Sequence, residues 1–504
     1  MAVPDFSPED LRQIARHGME PGQVLAQLER FAQGMRWARL DRPCRVGDGI
    51  RKFNPEELVR LGARWDVEME KGRGMKFVPA SGAGTRMFQT WLKALHEEAG
   101  VDPAAVFVEI ERYPFYGALR EVMAGAGHSL EAGLRHGHYR LILEFLLTPR
   151  GLNYAALPKG LIPFHSYPEG SRSPFEEHLV EAKAYLCDSE GHCRLHFTVS
   201  EEHEAAVRDL FRQVLPRHER DGLHFAVELS TQKKSTDTIA ADSMNRPFRD
   251  REGRLLFRPA GHGALLQNLE AVGGDIVFLK NIDNVAPDSK KADTILYKKA
   301  MAGHLVEIQE TCFHYLRRLE AGKMTAAEVA EAEAFASGAL SASLPPDWPE
   351  RSGDARRSWL FERLNRPLRV CGMVPNQGDP GGAPFWAKET EGGFSLQIVE
   401  SAQVDPSDPD QARIFQSSTH FNPVDLVCGL RDFRGRSFPL SDFVDPEAGF
   451  LSEKSHQGQV LRALELPGLW NGGMARWNTV FVEVPAPTFT PVKRVEDLLR
   501  PEHT

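Results

Sequence analysis

The chain changes character at Met75. Residues 75–80, MKFVPA, make an apolar run of strand length, and SGAGTRM (81–87) follows as a small-residue turn ending in Thr85, Arg86 and Met87. Beyond it Trp91, Leu92 and Leu95 recur at helical spacing, which predicts a helix starting near Thr85. A strand running through such a turn into a helix opens an α/β layer fold. The turn itself reads as an anion cradle. Gly82 and Gly84 let backbone N–H groups approach a ligand from Ser81, Gly82, Ala83, Gly84 and Thr85, the helix offers its positive end, and Arg86 adds a permanent cation. The spacing is not GxxxxGK[ST], and Met87 occupies the third glycine position of GxGxxG, so neither an ATPase nor a dehydrogenase follows. An ordinary strand-to-helix turn with a solvated arginine is the competing reading.

Strand and helix units recur downstream. RLHFTV (194–199) precedes a Ser200-capped acidic helix, LHFAVEL (223–229) follows, and DIVFLKN (275–281) comes after a helix over 262–272. Such alternation predicts a Rossmann-like, mostly parallel sheet flanked by helices. Residues 1–70 read as an N-terminal helical extension, because Ser7-Pro8-Glu9-Asp10 and Asn54-Pro55-Glu56-Glu57 each supply a cap, an early proline and first-turn acids. Residues 71–504 read as one large domain. Within it lie a helical insertion (90–156), a helical excursion (298–345) and short strands over 360–504, including SLQIVES (395–401) and TVFVEVP (479–485).

Composition narrows the function classes. With 504 residues, 61 Lys and Arg against 70 Asp and Glu, and a formal charge of −9, the balance argues against a general nucleic-acid binder while leaving room for a local basic pocket. Its six cysteines form no CxxC pair and suggest neither a disulfide framework nor a zinc site. MAVPDFSPED lacks a basic start and an apolar stretch, and the longest apolar runs are too short to span a bilayer. A soluble, cytoplasmic protein is expected.

Further motifs give the glycine turn company. LPKGLIPF (157–164) carries Lys159 at a constrained turn, and SPFEEHL (173–179) starts a helix with a capping box. Gly82, Gly84, Thr85 and Arg86, with Pro158, Lys159, Leu161 and Pro163, resemble the two signatures of the sugar nucleotidyltransferases. The gap between them is far longer here, and a helical insertion whose ends meet in space would explain it. Arg258 to Gly263 (RPAGHG) resembles the P-x-G-H-G segment of the UDP-sugar pyrophosphorylase branch, Asn281-Ile282-Asp283-Asn284 its N-x-D-N, and Thr490 to Leu499 (TPVKRVEDLL) its F-x-P-V-K-T-x-x-D-L-L. The overall arrangement also resembles the bacterial family catalogued as domain of unknown function 4301.

The resemblance implies a nucleotidyltransferase (GT-A-like) fold and a Mg2+-dependent reaction between a nucleoside triphosphate, UTP favoured, and a sugar 1-phosphate, with release of pyrophosphate. It implies Arg86, Lys159 and Lys493 on the phosphates, Gly261, His262 and Gly263 beside the base, and Asp283 as the Mg2+ ligand. Gln232 in TQKKSTDTIA joins the nucleotide side, while Gly382, Glu400, Asn422 and Asn471 are sugar-side candidates whose turn or cap roles are equally open. A silent nucleotide-binding protein and a glycosyltransferase of related fold are the rival readings. The second usually carries a D-x-D metal motif, whereas Asp283 has asparagines at 281 and 284. Neither nucleic-acid nor membrane partners are expected, and oligomeric state is not legible.

Overall fold

A computed structural model describes residues 6–98, 101–376, 378, 381–389 and 392–504; Met1–Asp5, the start of the N-terminal stretch, lie outside them. The chain forms two compact units interleaved in sequence. The first takes Met1–Trp65, Gln232–Phe278 and Ala300–Val484, the second Asp66–Thr231, Leu279–Lys299 and Pro485–Thr504.

Helix starts follow the expected caps. Ser7 Oγ accepts from the Asp10 amide at 3.2 Å while the Asp10 carboxylate accepts from the Ser7 amide at 2.9 Å. Asn54 and Glu57 make the same reciprocal pair at 2.8 and 3.0 Å. The stretch between them differs from expectation, because short strands Leu40–Pro43, Arg45–Val46 and Gly49–Arg51 interrupt the helices. Ser200 also makes no capping bond: a single 3-10 turn, Glu201–His203, precedes the helix Glu204–His218.

In the second unit, strands Gly74–Pro79, His192–Val199 and His224–Thr231 pair in parallel, with Lys76 opposite Leu195 and Leu195 opposite Val227. The first of them is buried along nearly its whole length, as a strand covered on both faces must be. The insertion after the glycine turn is helical, with helices Gln89–Leu95, Pro103–Val106, Tyr116–Gly125, Leu130–Arg135 and Tyr139–Leu147. Their apolar faces meet around Trp91, Phe107, Phe115 and Phe145, and Val492, Val495 and Leu498 from the C-terminal segment enter the same core. Trp91 Nε1 donates to Glu496 at 2.9 Å, so the PVK segment is fastened to the insertion by burial and by a hydrogen bond.

In the first unit, strands Arg45–Val46, Gly49–Arg51, Asn478–Glu483 and Leu368–Pro375 run in parallel order, and Asp425–Gly429 pairs antiparallel to the last. Two smaller antiparallel sheets accompany them. One is Leu40–Pro43, Ala383–Lys388 and Phe394–Val399; the other is Phe257–Arg258, Thr238–Ala241, Gln459–Glu465 and Phe450–His456. The excursion expected over 298–345 resolves into helices Ala292–Glu320 and Ala326–Gly338. The architecture is α/β with largely parallel strands.

Each unit buries a histidine in neutral form. Burial first, and Arg51 second, pushes His304 down to about 4; burial and then His165 do the same to His503, also to about 4. An unfolded imidazole titrates near 6.5, so as pH falls from about 6.5 to 4 the unfolded chain gains protons that these two rings refuse. Stability therefore falls on acidification across that window, by about 3 kcal/mol per ring once pH is below 4. Urea denaturation midpoints measured across the window should drop steadily, and a flat profile would contradict the assignment.

Candidate functional site

The glycine turn is exposed from Ser81 to Ala83, and the amides of Ser81, Gly82 and Ala83 have no acceptor among the described residues. Arg86 is exposed, with no ion pair or side-chain hydrogen bond among the described residues. Thr85 is used differently, since its hydroxyl donates to the Ala155 carbonyl at 3.0 Å. The expected helix does not start at Thr85. Gly84–Arg86 is one 3-10 turn and the α-helix begins at Gln89 for only seven residues, so a helix dipole adds little and the loop amides with Arg86 form the cradle.

The ends of the insertion close on each other at this turn. The Gly84 amide donates to Leu157 O at 2.8 Å, the Lys159 amide to Gly82 O at 3.0 Å, and Ala83 bridges Pro158. Gly84 is buried where a Cβ would stand 2.7 Å from Leu157 O and 2.8 Å from Tyr154 O, so only glycine permits the closure. The long gap between the two motifs is thereby bridged in space.

Lys159 then reaches the third motif. Its ammonium donates to Asp283 Oδ2 at 2.9 Å and to the Val492 carbonyl at 2.8 Å. Asp283 follows the strand Ile276–Lys280 and is held on both sides: the Ile282 amide donates to Pro79 O at 3.3 Å, and the Val492 amide to Asp283 O at 3.1 Å. Asn284 Oδ1 accepts from the Thr490 amide at 3.0 Å, which sets the N-x-D-N and PVK segments side by side. Lys493 is exposed one residue beyond Val492, its ammonium 5.7 Å above the Phe489 ring and its amide bonded to Asp497 Oδ2 at 2.8 Å. Four motifs far apart in sequence thus meet in the second unit.

The remaining candidates lie in the first unit, and most of them also converge. Gly261 has φ +78°, a left-handed conformation that favours glycine, and a Cβ on Gly263 would stand 2.1 Å from Pro467 O. His262 lies flat on Trp470, with centroids 4.0 Å apart and planes at 12°. Its Nδ1 accepts from the Leu469 amide at 2.9 Å, which leaves the proton on Nε2, 3.8 Å from Glu400 Oε1. His262 holds the Glu400 carboxyl below its ordinary range. Gln403 Oε1 accepts from both the Glu400 amide (2.9 Å) and Asn471 Nδ2 (3.0 Å). Asn422 accepts from the Val424 amide and donates its own amide to Gly382 O at 2.7 Å. Asn422 Nδ2 and Asn471 Oδ1 are buried and have no hydrogen-bond partner among the described residues, a donor and an acceptor of the kind that hydroxyls satisfy.

Gln232 stands apart from this group, its amide directed to Asp237 at 3.4 Å. Thr238, from the same segment, is structural: its hydroxyl donates to Leu464 O at 2.7 Å between two strands. Three contributors escaped the sequence reading. Trp470 stacks on His262, Gln403 ties Glu400 to Asn471, and buried Arg369 donates to the Trp470 carbonyl at 2.6 Å. Trp470 adjoins Asn471 and was the accessible clue; nothing local marks Arg369, a charge inside an apolar strand.

A family model described as Domain of unknown function (DUF4301) matches residues 7–504. The chain belongs to that family. No curated protein matches this DUF4301 chain. Among solved structures, it is similar to the uridine diphosphate N-acetylglucosamine pyrophosphorylase from Trypanosoma brucei, at 14% identity and TM-score 0.49, covering 99% of this chain and 80% of that one. It is also similar to UDP-glucose pyrophosphorylase from Leishmania major, at 13% identity and TM-score 0.45 over 98% and 79% of the two chains. For UDP-glucose phosphorylase from Trypanosoma brucei the identity is 13% and the TM-score 0.45, over 97% and 77%.

Among the described residues of the DUF4301 chain, no group of three or more His, Cys, Asp or Glu side chains gathers to hold a metal ion. Asp283 is a single carboxylate with one oxygen taken by Lys159 and a side chain 21% exposed. That suits a cation which takes most of its ligands from phosphates and water, as Mg2+ does, and does not suit a protein-enclosed metal. No helix among the described residues is long and apolar enough to cross a membrane.

Proposed function

We propose that the chain is a Mg2+-dependent cytoplasmic nucleotidyltransferase that joins a nucleoside triphosphate, UTP by preference, to a sugar 1-phosphate. A phosphate oxygen of the sugar 1-phosphate attacks the α-phosphorus, the bond from that phosphorus to the oxygen bridging to the β-phosphorus breaks, and pyrophosphate leaves in line. No protein nucleophile takes part. Both reactants are polyanions, so the protein's task is to align them and neutralise charge.

The observation that carries this reading is Lys159 clasped to Asp283 and Val492 while its own segment pairs with the glycine turn. In this reading the amides of Ser81 to Ala83 and the Arg86 guanidinium hold the β and γ phosphates, whereas Lys159 and Lys493 face the α-phosphate and the incoming phosphate. Asp283 would hold Mg2+, which when bound supplies charge neutralisation across the phosphates. Gly261 to Gly263 and Gln232 are proposed for the nucleoside, and Gly382, Glu400, Asn422 and Asn471 for sugar hydroxyls. The UTP preference rests on the likeness of the GHG and PVK segments to the UDP-sugar branch.

The test is pyrophosphate release from each common nucleoside triphosphate against a panel of sugar 1-phosphates, with Mg2+ present. Release confined to one pairing, UTP first among the bases, is the expected result. Triphosphate binding without release from any pairing would instead favour a silent binding protein.

A further inference from the structure

We propose that Cys187 and Cys193 form a reversible dithiol–disulfide couple, closed by exchange with a low-molecular-weight disulfide such as oxidised glutathione. Their Sγ atoms lie 2.8 Å apart within the second unit. No motif announces the pair, because the two cysteines stand six positions apart and only the turn between them brings them together.

The turn dictates the approach. The Asp188 amide donates to His192 O at 3.1 Å, and Asp188 Oδ1 accepts from the Glu190 and His192 amides at 2.9 and 2.8 Å, so the chain reverses tightly between 188 and 192. Residues 187 and 193 are the next facing pair outward from a hydrogen-bonded one, the position at which opposed side chains stand closest. A disulfide needs Cα atoms within about 7 Å and Cβ atoms that face each other, and such a pair supplies both. The turn is also braced from outside. The Ser189 amide donates to Glu70 O at 3.1 Å, and the His224 amide to Gly191 O at 2.9 Å. Gly191 has φ +85°, and a Cβ on it would stand 2.2 Å from Gly222 O, so the turn is held at a contact that only glycine allows. The backbone has little room to move the two thiols apart.

Accessibility sets the order of events. Cys187 is half-buried, whereas Cys193 is fully buried near the start of the strand His192–Val199, where burial first and the Cys187 sulfur second push its thiol up. Cys187 is therefore the sulfur that an outside reagent reaches. It gives its proton to solvent and attacks one sulfur of the external disulfide, forming a mixed disulfide and expelling one thiolate, which takes up a proton. The Cys193 sulfur then attacks Cys187 Sγ, forming the Cys187–Cys193 bond, and its proton goes to the second departing thiolate. Two protein thiols are oxidised, and one external disulfide is reduced to two thiols. The remaining cysteines, Cys44, Cys312, Cys371 and Cys428, are buried in the first unit. In a reducing compartment such a couple opens and closes with the redox poise and is not a permanent staple.

Mass spectrometry of the full native chain after incubation with oxidised glutathione, with free thiols alkylated before digestion, tests the proposal. The parent should lose about 2 Da, yield a cross-link between the Cys187 and Cys193 peptides, and return to its starting mass with dithiothreitol. Cys193→Ala should stop at the mixed disulfide on Cys187, about 305 Da heavier, and Cys187→Ser should gain nothing at Cys193. Because the thiols already face one another, closure should raise the urea midpoint of the parent, while the same incubation leaves that of Cys187→Ser unchanged. The parent's cross-link and midpoint are read whether or not either variant folds. Absence of the cross-link in the parent, glutathione retained on the parent's Cys187 with no internal bond, a midpoint unchanged or lowered on closure, or glutathione on Cys193 of Cys187→Ser would each overturn it.

Discussion

Lys159→Ala is expected to lower pyrophosphate release by about a hundredfold to a thousandfold at saturating substrates, the usual effect of losing a donor that acts on the transition state. The side chain is 12% exposed and makes two polar contacts, to Asp283 and to the Val492 carbonyl. The charged partner is not sealed from water, the Asp283 side chain being 21% exposed, whereas Val492 is buried. Truncation therefore leaves a carboxylate that water can still solvate, and the stability cost should be about 1 kcal/mol, the scale of one net hydrogen bond. The two readouts separate the possible roles. A large fall in rate with a nearly unchanged denaturation midpoint places Lys159 on the reacting phosphates. A fall in both, in proportion, makes it a strut between motifs. A retained rate removes it from the mechanism.

How far the sequence could lead is visible at this same residue. The strand Gly74–Pro79, the glycine turn and the Lys159 turn were legible because each is local: an apolar run, a small-residue cluster, a proline-flanked lysine. The closure that brings Gly82 and Gly84 onto Leu157–Lys159 could only be stated as a condition on the insertion, since its geometry depends on how five helices pack between them. The cue that a dipole-bearing helix would start at Thr85 misled, because Met87 and Phe88 are drawn into the core of the insertion and the chain tightens into a 3-10 turn before Gln89. Strands within the first seventy residues were missed because runs of only two to four residues carry no period. In the first unit, Glu400, Asn471 and His262 were individually legible, while their connection through Gln403 and Trp470 is tertiary.

Glu181 was invisible to that reading, yet its replacement should give the largest loss of stability of any single change considered. It is wholly buried on the helix Pro174–Ala182, where Lys76 donates to Oε1 at 2.9 Å, Lys280 to Oε2 at 2.7 Å, and the Tyr185 hydroxyl to Oε1 at 2.7 Å. Burial alone would raise this carboxyl, but Lys280 and Lys76 hold it well below its ordinary range. Burial in turn draws Lys76 below the usual lysine value, with Glu181 opposing. Glu181→Leu strands two buried ammonium groups without a counter-charge, a change that costs about 3–5 kcal/mol. Exchanging all three charges together, Lys76→Met and Lys280→Met with Glu181→Leu, should recover most of that loss, because well-packed apolar groups commonly replace a buried ionic cluster at little cost. Urea denaturation of the single and triple variants measures both terms, and a single variant as stable as the parent would show that the ammonium groups find other partners. The placement of the cluster also gives it a consequence for the site. Lys280 ends the strand from which Asp283 follows, and His178, on the same helix as Glu181, donates from Nε2 to Ile282 O at 3.2 Å. The triple variant should therefore be stable but less active, since the ionic contacts fix the strand end that aims Asp283 at Lys159, and apolar packing restores burial without restoring that aim.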